Sequence, residues 1–345
     1  MDRTQTIKAN RATTIDLKKL QILALIFALT AIFKPDVAYS LDETEPDQEQ
    51  TTSTQPAGSS APNGNVPLGP SRNTELEIQW QVEILKTVDP GEVEWLEQDG
   101  IKTFALYLQN RKDKLQGGAI LLHPLGTHPN WPYVIAPLRR KLPEYGWSTL
   151  SIQLPTLAKS ASVEEYLPLL KEFSTRIQSA IKFYQHQGIA NITLIGDALG
   201  ATVAASFLAA NPDSGITSFV AISMLTYKDK DQQFNAIHSL EQIALPVLDT
   251  FGSRDLSNVR KYADDRGISA KRAGQVATQS QNIEAFSQSA TAKTGVEQKA
   301  GYIAYRRFEI TGADHSFKGF ENILSKRVIG WLKKHAGGIA INTTR

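Results

Sequence analysis

Asn191–Asn211 reads NITLIGDALGATVAASFLAAN, and its interpretation decides the fold of the whole chain. Asn191–Ile195 is a short apolar run with β-branched residues, the composition of a buried strand. Ala201–Ala210 is dominated by alanine and predicts a tightly packed helix. Between them lies Gly196-Asp197-Ala198-Leu199-Gly200. A strand that turns abruptly into a helix, with a glycine two residues either side of the apex, has the backbone of a nucleophile elbow. The glycines answer a steric need, because side chains flanking a strained apex would collide with it. Nucleophilic catalysis from this turn needs a Ser, Cys or Asp at the apex. The apex is Ala198.

Upstream, the chain opens on a different kind of segment. Residues 1–40 carry Arg3, Lys8, Arg11, Lys18, Lys19 and Lys34 against Asp2, Asp16 and Asp36, a net +3 in a chain whose formal charge is +2. The remainder is therefore near neutral, which argues against a nucleic-acid partner, since that needs a basic face. Lys18 and Lys19 precede the apolar stretch Leu20–Phe33, and Val37-Ala38-Tyr39-Ser40 ends in a small-x-small pattern. These are the three parts of a secretory signal peptide, and a mostly apolar stretch of fourteen residues falls short of the roughly 20 that a spanning helix requires. The expectation is an exported, periplasmic protein with no stable membrane span after signal cleavage. The absence of cysteine removes both a disulfide framework and a lipid-anchoring thiol.

Leu41–Arg72 combines five acidic residues with Thr, Ser, Gln, five prolines and three glycines, and almost no large apolar side chain. Such a stretch cannot bury enough surface to offset its ordering entropy, so 41–72 reads as a disordered linker and the folded domain spans 73–345. Within it, the loose alternation of Leu76, Ile78, Trp80, Val82 and Ile84 predicts a strand over Glu75–Lys86, with an amphipathic helix as the weaker alternative. Glu92–Leu96 and Thr103–Leu108 follow as two strands about Asp99-Gly100. Ala119–Leu122 is a fully apolar strand leading into His123-Pro124-Leu125-Gly126-Thr127-His128. A helix is expected from Pro132 to Tyr145, a strand over Trp147–Leu154, and a long helix behind a Ser162/Glu165 capping box. Phe219–Met224, Ala244–Phe251 and Tyr302–Ile310 are further strands, before a closing helix striped by Leu324, Val328 and Trp331. Strands alternating with helices at this spacing make an α/β fold, a mostly parallel central sheet with helices on both faces. The polar insertion 258–300 is read as a solvated helical excursion.

Three sites then fall at the ends of successive strands, on the side where open α/β sheets bind ligands. They are the elbow at Ala198, the loop of Phe251-Gly252-Ser253-Arg254-Asp255, and Gly312-Ala313-Asp314-His315-Ser316-Phe317. Elbow, acid, histidine is the chain order of a Ser-His-Asp triad on this type of sheet. From about Glu92 to His335 the sequence resembles the α/β-hydrolase superfamily, on GDALG, FGSRD, GADHSF and the HPLG loop. More narrowly, HPLGTHPNW, GWSTLSIQLP and IGWL resemble an uncharacterised group of exported bacterial hydrolase-like proteins, domain-of-unknown-function family 3530. The resemblance implies that Asp255 is the triad acid and His315 the triad base. It implies that the backbone N–H groups of Leu125 and Leu199 form the oxyanion hole, with Gly196, Asp197, Ala198 and Gly200 as the elbow.

A methyl group cannot be acylated, so no covalent route passes through Ala198. Two functions remain. One is non-catalytic binding of a small molecule or envelope component in the cleft. The other is ester or amide hydrolysis that uses His315 and Asp255 on water, or on a displaced serine such as Ser223 or Ser316. Asp197, next to the apex, is expected to point away from His315 and to serve as a cap or turn partner. His123 and His128 lie five residues apart on a proline-containing loop, a spacing foreign to compact zinc sites, so no metal and no cofactor is expected.

Overall fold

The computed structural model describes residues 72–89, 92–158, 160–276 and 304–336. The signal-peptide reading, the linker reading over 41–71 and positions 277–300 of the insertion lie outside the described residues, whereas Arg72, placed at the end of the linker, is paired with Glu77 and Glu172. Eight described strands form one sheet: β1 Val93–Gln98, β2 Ile101–Leu108, β3 Gly117–Leu122, β4 Trp147–Ile152, β5 Ile192–Asp197, β6 Ile216–Ile222, β7 Val247–Arg254 and β8 Tyr305–Asp314. Their spatial order is β1-β2-β4-β3-β5-β6-β7-β8. β1 and β2 pair antiparallel around Asp99-Gly100, and β2 meets β4 antiparallel; the other pairings are parallel. The fold is thus α/β, as the alternation of apolar strands with helices predicts.

Strand alternation sorts the core into two layers. Ile120, Leu122, Leu194, Phe219 and Val247 face one side of the sheet, whereas Ala119, Leu121, Ile195, Val220 and Leu248 face the other. The first side is covered by α3 Leu170–His186, through Phe173, Ile177 and Tyr184, and by α4 Leu199–Ala210, through Ala201, Ala204 and Leu208. The second is covered by α2 Ile135–Lys141 and by α8 Glu321–His335, through Leu138, Val328, Trp331 and Leu332. Strands buried on both faces read as continuous apolar runs rather than as alternation, which is why β3 and β5 are recognisable from sequence.

Four local expectations are corrected. Thr74–Leu85 is a helix, α1, not a strand. Asn73 caps it, its side chain accepting from the Leu76 N–H at 3.0 Å, and Glu75 and Glu77 sit in the first turn, where negative charge is favoured. Leu76, Trp80 and Ile84 share a face at four-residue spacing, while Ile78 is 55% exposed. The helix expected over 132–145 is shorter: α2 gives way to a 3-10 turn, Leu142–Tyr145, at Pro143, which has no N–H to donate. The capping contact exists, with Ser162 N–H donating to Glu165 at 2.6 Å, but it opens the 3-10 turn Glu164–Leu169 and α3 begins only after Pro168. The start of the insertion is not simply solvated. After α5 Ala236–Leu240 and α6 Ser257–Lys261, the described helical residues 263–276 (α7) bury Ala263, Arg266, Ala270 and Ala273.

Candidate functional site

The elbow exists as a backbone. Ala198 joins β5 to α4 with φ 51° and ψ −122°, a left-handed conformation that a non-glycine residue adopts only when its surroundings impose it. Its N–H donates to the Ile222 carbonyl at 2.9 Å, which fixes the turn against the end of β6. The flanking glycines are sterically required. A Cβ on Gly196 would lie 2.5 Å from the Ala201 Cα, and one on Gly200 would lie 2.4 Å from the His123 carbonyl oxygen. Leu199 opens α4, so its N–H is one of the four helix donors with no intrahelical acceptor. Leu125 lies in the turn after β3, its side chain against the first core layer.

Parallel pairing of β5, β6, β7 and β8 sets the residues after each strand side by side. Asp255 and His315 are brought together, with His315 Nδ1 2.7 Å from Asp255 Oδ1. Asp255 is buried and also accepts from Leu256 N–H at 2.8 Å, from Gly252 N–H at 3.2 Å and from the Ser223 hydroxyl. Burial acts to raise its pKa, but the hydrogen bond and charge of His315 and the Ser223 bond outweigh it, so the carboxyl stays below its usual value. Burial likewise acts to lower the His315 pKa. The Asp255 hydrogen bond and charge, with Asp197 and Asp314 acting in the same sense, reverse that and raise it. With Nδ1–H given to Asp255, Nε2 is the basic nitrogen of the neutral ring, and the side chain is 31% exposed.

The nucleophile position is different in kind. Ala198 is 4% exposed, and its methyl packs with Leu225, Phe251, Val259 and Ala263, with Leu199, Tyr227 and Leu256 at the edge of that cluster. Neither alternative serine is placed to attack a ligand. Ser223 is fully buried at φ 48°, its hydroxyl spent on Asp255, and the Ser316 hydroxyl donates to Asp314 at 2.8 Å. The role of Ser223 as a donor to the acid has no sequence signature. It follows from the parallel register that sets β6 beside β7.

Asp197 interacts with the Ala198 backbone N–H at the turn, in keeping with the turn-partner role expected of it. It is buried within electrostatic reach of both His315 and Asp255, and burial, reinforced by the Asp255 charge, pushes its pKa up to about 7 despite the opposing pull of His315.

His123 and His128 are structural. His123 Nε2 accepts from Leu154 N–H at 3.0 Å, and its Nδ1 faces the Pro124 carbonyl at 2.8 Å, so both ring nitrogens are engaged. Burial lowers its pKa to about 3 and keeps it neutral. His128 accepts from Asn130 N–H at 3.2 Å and lies between Trp80 and Trp131. Among the described residues no group of three or more His, Cys, Asp or Glu could hold a metal ion, and no helix is long and apolar enough to cross a membrane.

No curated protein sequence matches the chain. Solved structures with a similar fold include a Klebsiella pneumoniae protein provisionally assigned as a dienelactone hydrolase, with TM-score 0.50 and 13% identity, covering 70% of this chain and 98% of that one. Est1E from Butyrivibrio proteoclasticus has TM-score 0.48 and 13% identity, over 70% and 98% of the two chains. XC6422 from Xanthomonas campestris, a member of the α/β serine hydrolases without a lid, has TM-score 0.47 and 14% identity, over 73% and 99%. At these identities the likeness is one of fold, and the fold is that of an α/β-hydrolase. The family model described as Protein of unknown function (DUF3530) matches residues 19–172 and 165–300, most of the sequence, and the chain belongs to that family.

Proposed function

We propose that this is an exported protein of α/β-hydrolase fold that binds a small molecule or an envelope component and forms no acyl-enzyme. The reading rests on one observation: the elbow apex carries a methyl group, buried in an apolar cluster. That methyl cannot form a covalent intermediate, and the hydroxyls of Ser223 and Ser316 are committed to Asp255 and Asp314. A superfold of this kind hosts many functions, so the retained sheet order brings no activity with it. Export follows from the basic, apolar and small-residue segments of the first 40 residues, and the mass of the processed chain from an expressing cell tests it.

A second reading is favoured by the His315–Asp255 pair at 2.7 Å, which could activate a water for ester or amide hydrolysis. Short- and medium-chain p-nitrophenyl esters separate the two. The binding reading expects wild type to match buffer. Turnover in wild type that His315→Ala abolishes would reject it. Turnover gained only in Ala198→Ser would show that the acid, the base and the oxyanion donors are in working register and that the serine alone is wanting.

A further inference from the structure

We infer that a second site, at the end of the strands opposite the elbow, binds a small anion with an apolar body, such as a medium-chain alkyl phosphate or carboxylate. Gly117 and Trp147 are register partners at the starts of β3 and β4. A cavity of about 450 Å³ opens beside them, within the roughly 300–1,000 Å³ range of small-molecule sites. Its apolar side is built from buried Trp147, partly buried Ile329 of α8 and Tyr145, which is 47% exposed. Lys112, Lys114 and Lys333, all exposed, line the same cavity. None of the three has an ion-pair partner among the described residues. Asp113 is the single carboxylate on the lining. A neighbouring cavity of about 530 Å³ shares Lys112 and Tyr145 and adds Arg111, and its Glu144 is taken by Lys141 at 2.6 Å.

The walls are held in place independently of any ligand. The Asn191 side chain donates to the carbonyls of Gln116 at 2.6 Å and Ala336 at 2.7 Å, tying the loop before β3 and the end of α8 to the start of β5. Arg111 N–H donates to the Pro143 carbonyl at 2.8 Å, and Gly146, at φ +90°, leaves no room for a Cβ beside the Lys114 carbonyl. Exposed cations that line one cavity raise the local potential over a Debye length, about 8 Å at physiological salt, and so favour an anion that enters between them. The apolar floor rules out a strongly hydrated ion as the best occupant. An amphiphile satisfies both ends, and Trp147 is too recessed for a flat lipid surface to reach.

Isothermal titration of the full chain tests this with decyl phosphate, decanoate, decanol and phosphatidylglycerol vesicles. The expected result is one-to-one binding of decyl phosphate or decanoate, at least tenfold tighter than decanol and weakened by salt. The Lys112→Gln/Lys114→Gln/Lys333→Gln variant, and separately Tyr145→Ala, should lose at least tenfold while melting at the wild-type temperature. Equal affinity in wild type and the lysine variant, loss of binding on changing the elbow instead, no binding up to millimolar ligand, or binding confined to the vesicles would each overturn the proposal.

Discussion

At position 198 the backbone, not the side chain, carries the strain. The φ of 51° is imposed by the Ile222 hydrogen bond and by the glycines on either side, so a serine would inherit the same conformation. Ala198→Ser should therefore cost no more than about 1–2 kcal/mol, the penalty of a hydroxyl placed in a mostly apolar cluster, as read from urea unfolding. Its neighbour has the larger leverage on stability. Asp197 titrates near 7 in the folded protein against about 3.9 in an unfolded chain, so between those values the native state binds the extra proton and stability falls as pH rises. A shift of about three units corresponds to roughly 4 kcal/mol at most. His315, with its folded pKa raised, acts in the same direction: its contribution is complete below about 6.5 and is lost as pH rises through the folded value. Asp255 has the opposite sign, its contribution present above about 3.9 and lost as pH falls through its lowered folded value. The melting temperature should thus decline from pH 5 to pH 8. Asp197→Asn should flatten that decline, raising the melting temperature by several degrees at pH 8 and leaving it unchanged near pH 4.

At the scale of the element, what the sequence makes legible is what is locally redundant. β5, the elbow glycines and α4 are announced by composition, steric need and spacing together, and all three are found in place. The strand end carrying Asp255 is legible because it follows a buried run, and that carrying His315 because the GADHSF motif marks it where the strand itself, YRRFEITGAD, is largely polar. α1 is not, because Leu76, Ile78, Trp80, Val82 and Ile84 satisfy a two-residue and a four-residue period at once, and the choice is made by partners distant in sequence. Glu77 is buried and accepts from Arg72 at 2.8 and 2.9 Å, from fully buried Arg176 at 3.2 Å and from Thr156 N–H at 3.0 Å. Those bonds fasten α1 to α3 and to the segment after β4, an arrangement no window of α1 alone contains. Glu77→Gln leaves Arg176 with Glu172 but strips a buried charge partner, and should destabilise by about 3 kcal/mol in urea unfolding. Gly200→Ala probes the tight elbow-to-β3 contact. The added methyl would meet backbone, the His123 and Leu122 carbonyls at 2.4 and 2.8 Å, which cannot swing aside as a side chain can, so a loss of about 3 kcal/mol is expected from overpacking.

At the scale of the molecule, the sheet joins two cores that share no helix. One layer is closed by α3 and α4, the other by α2 and α8, and strands β3 to β8 contribute side chains to both, while β1 and β2 add theirs to the first layer and to a small cluster with α1. Neither layer can be lost while the other keeps its strands, since the same backbone supplies both walls. The buried Arg266–Asp249 pair, with Nε to Oδ2 at 2.9 Å and the Tyr305 hydroxyl on the same carboxylate at 3.2 Å, extends that coupling to α7 at the far end of the sheet. A sequence reads each layer as a separate stripe and is silent on their interdependence, which comes from the sheet being common property. Ile177→Ala, in the first layer, and Val328→Ala, in the second, should each destabilise by about 2–3 kcal/mol. If the sheet couples them, both substitutions shift one calorimetric transition, and the double variant shows the sum to within about 0.5 kcal/mol because the two sites share no contact. A second transition appearing in either single variant would mean that the layers melt apart.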